Sequence, residues 1–292
     1  MLAETEDGGV GGAVKAYGGE HTGGMGAGQT GRIHILKPRP AGRRGILAGW
    51  LIALASLGSI WFLAHILYPR QVPSPAEALA FLAGEGLWRI AWSTWLTLSR
   101  TLLGFAAGMA AALLLGYAYT LSPVAREAVR ALNTVVQSVS VLVWIVILVM
   151  LFGVLSPVPP VAVAGLVAFP IILSAIVSGL ESVNPRLYEL AAMLGAGRLR
   201  TYTDFLLPSL LPQLAGAARA ALGAALRISV VAEAFGSSGG IGYMIATYYS
   251  LAEPRGVFAW GLLLVALMVL LDKLVLERVE ERVKRWATLP RQ

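Results

Sequence analysis

The stretch Glu189-Leu-Ala-Ala-Met-Leu-Gly195, followed after nine residues by Phe205-Leu-Leu-Pro208, decides the fold of this chain. It carries charged side chains and lies between two long apolar runs, residues 159–181 and 211–235. A charged segment within hydrocarbon is costly, so we expect these residues to form a loop outside a membrane that the two runs cross. This loop is taken as residues 183–210.

Composition indicates the same class of protein. The chain has 292 residues, of which 57% are hydrophobic and only 13% are charged. Soluble domains carry about 25% charged residues, so this balance predicts an all-α polytopic membrane protein. The sequence contains no cysteine, which excludes disulfides, thiolate metal sites and cysteine nucleophiles.

Six apolar runs are long enough to cross a bilayer as helices. Crossing the hydrocarbon layer takes about 20 helical residues. We place about six transmembrane helices at residues 46–68, 90–119, 131–152, 159–181, 211–235 and 256–276. Together they define a predicted transmembrane domain of residues 46–286, followed by a C-terminal tail at residues 287–292.

The second run carries small residues at regular intervals. They recur every four residues, at Gly104, Gly108, Ala112 and Gly116. Because packing rather than hydrophobicity joins helices in lipid, this stripe predicts a close approach by a neighbouring helix. The second helix is therefore expected near the centre of the bundle.

Residues 1–45 are Gly-rich and precede the predicted membrane domain. They hold too few large apolar residues to offset the entropy of ordering the chain, so we predict a disordered tail. Gly23-Gly-Met-Gly-Ala-Gly28-Gln29-Thr30 has the Gly spacing of a phosphate-binding loop, but Gln29 stands where the phosphate-binding Lys is required. We therefore expect this chain to bind no nucleotide and no other cofactor.

The distribution of basic residues predicts the orientation. Of the 23 Lys and Arg residues, 17 lie in segments on one side of the predicted membrane, against Arg70, Arg89 and Arg255 on the other. Cytoplasmic segments carry the excess of Lys and Arg, so we predict that both termini and the 183–210 loop are cytoplasmic. The net charge of +7 follows this pattern rather than a nucleic-acid-binding face.

The third run carries a row of polar side chains. Asn133, Gln137, Ser140 and Trp144 follow at steps of four, three and four residues, which places them on one face of a continuous helix. Polar groups facing lipid would go unsatisfied, so we expect this face to point inward. Two uses remain open for it, namely lining a translocation pathway or hydrogen bonding to a neighbouring helix.

The fifth run has the highest polar content, and its polar positions share an arc of about 160° on the helix. They are Arg219, Gly223, Arg227, Ser229 and Glu233. Arg219 is expected to extend to the cytoplasmic surface, whereas Arg227 lies deeper and is poorly placed to pair with Glu233. Because ionisable residues within spans usually face the bundle interior, we expect Arg227, Ser229 and Glu233 to line a pathway, with Arg227 favouring an anionic solute.

The Glu189 stretch resembles the EAA loop of ABC-importer permeases, which reads Glu-Ala-Ala, three residues, Gly, nine residues and Ile-x-Leu-Pro. Leu190 replaces the first Ala of that pattern, and Phe205 replaces Ile. Further segments occur in the order found in the nitrate/sulfonate/taurine branch of type I ABC importers. They are Val72-Pro-Ser-Pro-Ala-Glu77, Phe152-Gly153, Val231-Ala-Glu-Ala234 and Gly239-Gly-Ile-Gly-Tyr-Met244, so that the resemblance covers about residues 70–286.

The resemblance implies a type I (MetI-like) permease with six helices in a cell inner or plasma membrane. Such a subunit is not an enzyme. It pairs with a second permease subunit, here expected to be an identical copy. It also binds a dimer of cytoplasmic ATPases that hydrolyse ATP, and it receives its solute from an extracytoplasmic binding protein. The implied solute is small and anionic, of the nitrate, sulfonate or taurine kind.

The resemblance also implies a short helix in the 183–210 loop that couples the permease to its ATPase. The residues that match the family pattern are Glu189, Ala191, Gly195, Leu207 and Pro208. Ala192, Met193 and Leu194 add an apolar tip that could be buried in a partner. Gly195 is expected to permit a turn, and Pro208 to end the loop.

Two departures from the family pattern leave the solute open. Many relatives have consecutive prolines where this chain has Ser140 and Val141, and relatives tend to be apolar where Arg227 stands. Another small organic solute, such as a vitamin precursor, is therefore an alternative.

Three other functions fit the sequence less well than that of an importer permease. An ion-coupled secondary transporter would need paired broken helices, which the pattern does not indicate. An intramembrane enzyme is disfavoured because only His65 of the three histidines lies near a span. A scaffold subunit is disfavoured by the inward polar faces of the third and fifth runs.

Overall fold

The computed structural model describes residues 43–273 together with Arg278 and Glu281. Its side chains are described for Ala48, Gly49 and the residues from Leu51 onward. Residues 1–42 of the predicted disordered tail (residues 1–45) and the C-terminal tail at residues 287–292 lie outside the described residues, whereas residues 43–45 form the start of a helix. The chain divides into two units after Ile52, and all the helices from α2 (Pro75–Gly84) onward belong to the second unit.

Every regular element in the described part of the chain is helical, which confirms the predicted all-α class. The helices are α1 (Arg43–Leu67), α2 (Pro75–Gly84), α3 (Leu87–Tyr119), α4 (Pro123–Ser138), α5 (Val141–Phe152), α6 (Val158–Ser182), α7 (Arg186–Met193), α8 (Arg198–Arg200), α9 (Leu207–Phe235), α10 (Ile241–Ser250) and α11 (Pro254–Leu271). A π-helical turn at Thr201–Leu206 joins α8 to α9.

Four continuous helical segments within the described residues are long and apolar enough to cross a membrane. They are Leu87–Tyr119, Val158–Ser182, Arg198–Phe235 and Pro254–Leu271. The α4–α5 pair makes a fifth if it is counted as one span, although its two helices are bent by 86°. Helix α1 lies over the first predicted apolar run, residues 46–68. Counted together, these helices agree with the prediction of about six membrane helices.

The prediction of one straight helix over residues 131–152 is wrong. Helix α4 begins earlier, at Pro123, where the Ser122 hydroxyl accepts a hydrogen bond of 3.1 Å from the Ala125 amide. It ends at Ser138, and Val139 is extended, with φ −82° and ψ 129°. Ser and β-branched residues are weak helix formers, and here two Ser residues flank Val139. The break therefore forms without a proline.

The break also removes the single polar face predicted for the third run. Asn133 and Gln137 lie on α4, Ser140 lies at the break, and Trp144 lies on α5. Because the two helices run in directions 86° apart, the spacing argument holds only within each helix.

The predicted fifth span, near residues 211–235, lies inside a longer helical segment. Helical structure begins at Arg198 and continues to Phe235. Pro208 lies in the first turn of α9, which begins at Leu207. Proline has no N–H to donate to the carbonyl four residues earlier, and the wide π-helical turn at Thr201–Leu206 comes directly before it.

The core of the described unit is formed by α3, α6 and α9, which pack closely against one another. A side chain at Gly108 would place its Cβ 2.5 Å from the carbonyl oxygen of Gly165 on α6. At Gly116 it would lie 2.6 Å from the Cγ2 of Ile176. The predicted small-residue stripe is thus confirmed as the surface on which α6 approaches α3.

We expect the substitution Gly108→Ala to destabilise the protein by about 2 kcal/mol, because the added methyl group must push the α6 backbone away. Gly261→Ala is the matched control, since a Cβ at that helical position meets no atom within 4 Å. Thermal unfolding of the detergent-solubilised protein measures both variants. A Gly108→Ala variant as stable as Gly261→Ala would contradict this packing.

Candidate functional site

The 183–210 loop contains a short, well-terminated helix, α7. Gly195 has φ +66°, a conformation that glycine adopts without strain. The Gly195 amide donates to the Ala192 carbonyl at 3.0 Å, and the Ala196 amide donates to the Ala191 carbonyl at 2.9 Å. This pair of bonds is the Schellman arrangement that ends helices at glycine. The expected turn at Gly195 is therefore present.

The end of α7 presents an apolar tip. The Met193 and Leu194 side chains are 77% and 66% exposed, and Ala192 is exposed beside them. Ala191 is only 1% exposed, on a helix that packs against the π-helical turn. Adjacent exposed apolar side chains at the tip of a supported helix are typical of a partner surface.

The charged residues of the loop make few contacts. Glu189 is exposed, and its carboxylate forms no hydrogen bond or ion pair with any described residue. The Arg198 guanidinium donates only a long hydrogen bond, 3.5 Å, to the Leu121 carbonyl.

The C-terminal side of the loop is attached to α3. Tyr202, in the π-helical turn, is buried, and its hydroxyl donates to the Leu113 carbonyl at 3.0 Å. Its ring lies 5.6 Å from that of Tyr117. Leu207 and Pro208 follow in the first turn of α9, where Leu207 is half-buried and Pro208 exposed. These two residues therefore support the base of the loop rather than its tip.

The N-terminal side of the loop is attached to α3 and α4 through Glu181. The Tyr119 hydroxyl donates to Glu181 Oε1 at 2.7 Å, and Arg130 Nη2 donates to the same oxygen at 2.6 Å. The guanidinium groups of Arg126 and Arg130 both lie over the Tyr119 ring. Sequence reasoning missed this cluster, because its members come from three separate helices.

The polar residues of α4 bond to α6. Asn133 Nδ2 donates to the Ser174 hydroxyl at 2.9 Å, and Gln137 Nε2 lies 3.5 Å from the same oxygen. Hydrogen bonding to a neighbouring helix is thus one use of this face, while Gln137 and Ser140 also remain exposed. Trp144 Nε1, on α5, is buried and has no partner among the described residues.

Arg227 lies on an open side of α9. Its side chain is exposed and forms no hydrogen bond or ion pair with any residue that the structure describes. It borders a small cleft of about 80 Å³ between α9 and α11. The other lining residues are Leu222, Gly223, Leu226, Met268, Leu271 and Asp272.

Arg219 is held by a carboxylate just beyond the end of α11. Its Nε and Nη2 atoms donate to the two oxygens of Asp272, each at 2.8 Å. Such a two-point fork is the strongest geometry for an Arg–carboxylate pair. The Arg219 guanidinium holds the pKa of Asp272, which follows α11, below its usual value.

Glu233 lies inside the subunit and not on an open surface. Its carboxylate is fully buried and pairs with Arg100 Nη1 on α3 at 3.0 Å. The other oxygen accepts from the Thr97 hydroxyl at 2.8 Å and from the Gly242 amide at 3.1 Å. Thr97 in turn accepts from the Ile241 amide at 2.9 Å. This buried polar knot, centred on Glu233 and Arg100, joins α3, α9 and the start of α10.

The glycine-rich segment before α10 is shaped by the same knot. Arg100 Nη1 also donates to the Ser237 hydroxyl at 2.7 Å and to the Gly239 carbonyl at 2.5 Å. Gly240 has φ +114°, and a Cβ there would collide with the Glu233 carboxylate. The knot could have been anticipated, because two opposite charges within apolar spans are expected to pair.

The predicted arc of polar residues on α9 therefore divides between two sides of the helix. Ser229 and Glu233 are 0% and 1% exposed and face the subunit interior, whereas Arg227 faces the α9–α11 cleft. The Ser229 hydroxyl has no partner among the described residues. An arc of about 160° is wide enough for its two edges to face different neighbours.

Comparison with a family model covers most of the chain. Residues 104–285 match the family described as the binding-protein-dependent transport system inner membrane component. The match includes the α7 loop, the broken α4–α5 pair and Glu233, and it exceeds half of the chain.

Three relatives are permeases. TauC, the taurine transport system permease of Escherichia coli (strain K12), is 25% identical over 245 residues, covering 80% of this chain and 87% of TauC. A Haemophilus influenzae (strain Rd) protein assigned as an ABC transporter permease is 28% identical over 245 residues, covering 82% of this chain and 94% of that protein. SsuC of Bacillus subtilis (strain 168), assigned to aliphatic sulfonates transport, is 30% identical over 118 residues, which span 40% of this chain and 42% of SsuC.

Solved structures share the fold. A chain of the inward-facing MetNI methionine ABC transporter superposes with a TM-score of 0.59 at 20% identity, covering 68% of this chain and 97% of its own length. A chain of an amino acid ABC transporter with histidines gives a TM-score of 0.54 at 17% identity, covering 66% and 93%. These likenesses confirm the predicted MetI-like fold. The chain belongs to the binding-protein-dependent transport system inner membrane component family, and it is a non-catalytic, multi-pass permease subunit of an ABC importer.

Proposed function

We propose that this permease forms the translocation pathway for a small anionic solute of the sulfonate or taurine kind. A separate pair of cytoplasmic ATPases drives the transport, and an extracytoplasmic binding protein delivers the solute. A second copy of the chain completes the pathway. The chain itself is proposed to bind no cofactor.

The observation that carries this proposal is the shape of the α7 loop. Its apolar tip, Met193 and Leu194, is exposed, while both of its ends are attached to the helix bundle through Glu181 and Tyr202. A partner that binds the tip can therefore push on α3, α4 and α6 without melting the loop. A loop through which an ATPase moves a permease needs such an exposed tip and such firmly attached ends.

The roles within the loop follow from the same geometry. Ala192, Met193 and Leu194 would be buried in the ATPase, and Glu189 would meet it from the exposed face of α7. Ala191 and Gly195 keep α7 packed and properly ended, and Leu207 and Pro208 carry the movement into α9. Closure of the ATPases on ATP would then rock the bundle between inward-facing and outward-facing states.

The excess of basic residues supports placing the loop and both termini in the cytoplasm. ATP is available on that side. The long helices α3, α6, α9 and α11 would then cross an inner or plasma membrane, with the Gly239–Met244 segment outside.

Two places are candidates for contact with the solute. Asn133, Gln137, Ser140 and Trp144 surround the α4–α5 break, and Trp144 retains an unpaired buried N–H. The Arg227 cation forms no hydrogen bond or ion pair with a described residue and borders the α9–α11 cleft, which favours an anion. Ser229 and Glu233 could meet the solute only if the interior around them opened, because both are now buried.

The sulfonate or taurine class is supported by the names of TauC and SsuC together with the Arg227 cation. Another small organic solute, such as a vitamin precursor, is the alternative that follows if the cation plays no part in selection.

We expect Met193→Asp to prevent the ATPase from binding, because a carboxylate would be buried in an apolar contact. A central apolar anchor is worth about 2 kcal/mol, so ATPase recovery with the purified permease should fall by roughly tenfold or more. Val124→Asp is the matched control, since Val124 is 79% exposed in the first turn of α4 and lies outside the loop. Equal ATPase recovery with both variants would contradict the proposed role of the tip.

We expect Arg227→Gln to weaken uptake of the anionic ligand that co-purifies with the binding protein. Loss of one charge-assisted contact corresponds to about 2 kcal/mol, or roughly thirtyfold in apparent affinity. Arg227→Lys keeps the charge and should retain most of the uptake. If Arg227→Gln left uptake unchanged while the complex assembled normally, a role for Arg227 in anion selection would be refuted.

A further inference from the structure

Helix α4 is fastened to α6 by a row of three polar contacts. Arg130 bonds to Glu181, while Asn133 and Gln137 both approach Ser174. On α4 the three residues lie at i, i+3 and i+7, and on α6 Glu181 and Ser174 lie seven residues apart. Both spacings return to the same helix face, so the contacts form a continuous seam between the two helices.

The seam reaches the base of the α7 loop. Glu181 is the penultimate residue of α6, and α7 begins five residues later at Arg186. The Tyr119 hydroxyl, at the end of α3, bonds to both Glu181 and Arg130. The contact between Glu181 and Arg130 is therefore the part of the seam nearest to α7.

This contact is weak enough to open. The Arg130 and Glu181 side chains are 47% and 48% exposed, and ion pairs at such exposure contribute less than about 1 kcal/mol. The buried pair of Arg100 and Glu233 differs sharply, with side chains 7% and 0% exposed. Breaking that pair would leave an uncompensated buried charge, so the knot is expected to hold while the seam changes.

The C-terminal end of α4 meets a sharp bend. Val139 and Ser140 are non-helical, and α5 continues at 86° to α4. The half of α4 from Arg130 to Ser138 therefore lies between the Arg130–Glu181 contact and this bend. It carries Asn133 and Gln137, two of the proposed pathway residues.

We propose that Arg130 and Glu181 form a latch that transmits the movement of α7 to α4. In this proposal, which rests on the proposed ATP-driven function, both are positioning residues that act through α4 and do not touch the solute. Tyr119 keeps the two side chains aligned. Loss of the latch should leave ATP hydrolysis intact while α4 no longer follows the ATPase cycle.

The absence of cysteine in the sequence allows α4 to be followed with a single thiol. Thr134→Cys introduces one at an exposed position on α4, between Arg130 and Gln137. In the assembled permease–ATPase complex, the rate of labelling by a maleimide is measured without nucleotide and with ATP plus vanadate. We expect the rate to change by about fivefold between the two states, a typical size for coupling between sites.

Glu181→Gln removes the latch and should abolish this change while ATP hydrolysis stays near that of the parent complex. Glu127→Gln is the matched control, because Glu127 also pairs with Arg130, at 2.7 Å, but lies on α4 itself. The control should keep the nucleotide-dependent change in labelling. The exchanged pair Arg130→Glu with Glu181→Arg should restore it.

The possible outcomes separate the latch from the proposed function. If ATP is hydrolysed but labelling of the parent does not change, or if Glu181→Gln behaves like Glu127→Gln, the latch is refuted. The same conclusion follows if Glu181→Gln lowers hydrolysis and labelling change together, or if the exchanged pair fails to restore the change. A parent complex that hydrolyses no ATP would refute the proposed function itself.

Discussion

The close approach of α3 to α6 at Gly108 and Gly165 is the contact on which the rest of the structure depends. Lipid supplies no hydrophobic force that joins helices, so this tight backbone packing, with the hydrogen bond from Tyr119 to Glu181, holds the two together. With α6 seated on α3, the side chains of Arg100, Tyr119 and Glu181 reach the partners described above. Helix α9 packs against both α3 and α6 and completes the core. The α7 loop connects the end of α6 to the start of α9.

Three ion pairs differ in solvent exposure, and each joins a different pair of elements in the bundle. The buried pair of Arg100 and Glu233 fixes the corner between α9 and α10. The pair of Arg219 and Asp272, partly exposed and forked, joins α9 to the end of α11. The half-exposed contact of Arg130 with Glu181 costs least to break, and it is the one at the base of the α7 loop. Rigid and changeable connections thus occupy different parts of the same bundle.

Sequence reasoning succeeded where the signal is local and failed where partners are distant in the chain. Hydrophobic length gave the spans, the four-residue spacing gave the Gly108 stripe, and Gly195 gave the turn after α7. The break at Val139 was missed because apolar content continues across it, and only the flanking Ser residues weaken the helix. The partner of Glu233 was missed because Arg100 lies 133 residues away in the sequence, so no periodicity relates the two. For Arg227 and Ser229, helical angle alone could not say which neighbour each edge of the arc would face.

Uptake by the reconstituted complex tests most directly whether this permease is moved by a separate motor through the α7 loop. Proteoliposomes would hold the permease with its ATPase and binding protein, and the ligand of the binding protein would be measured inside with and without ATP. We expect uptake only when the ATPase and ATP are both present, because the proposed motor is a separate chain that acts through the α7 loop. Uptake by the permease without its ATPase, driven by an ion gradient, would contradict the importer function.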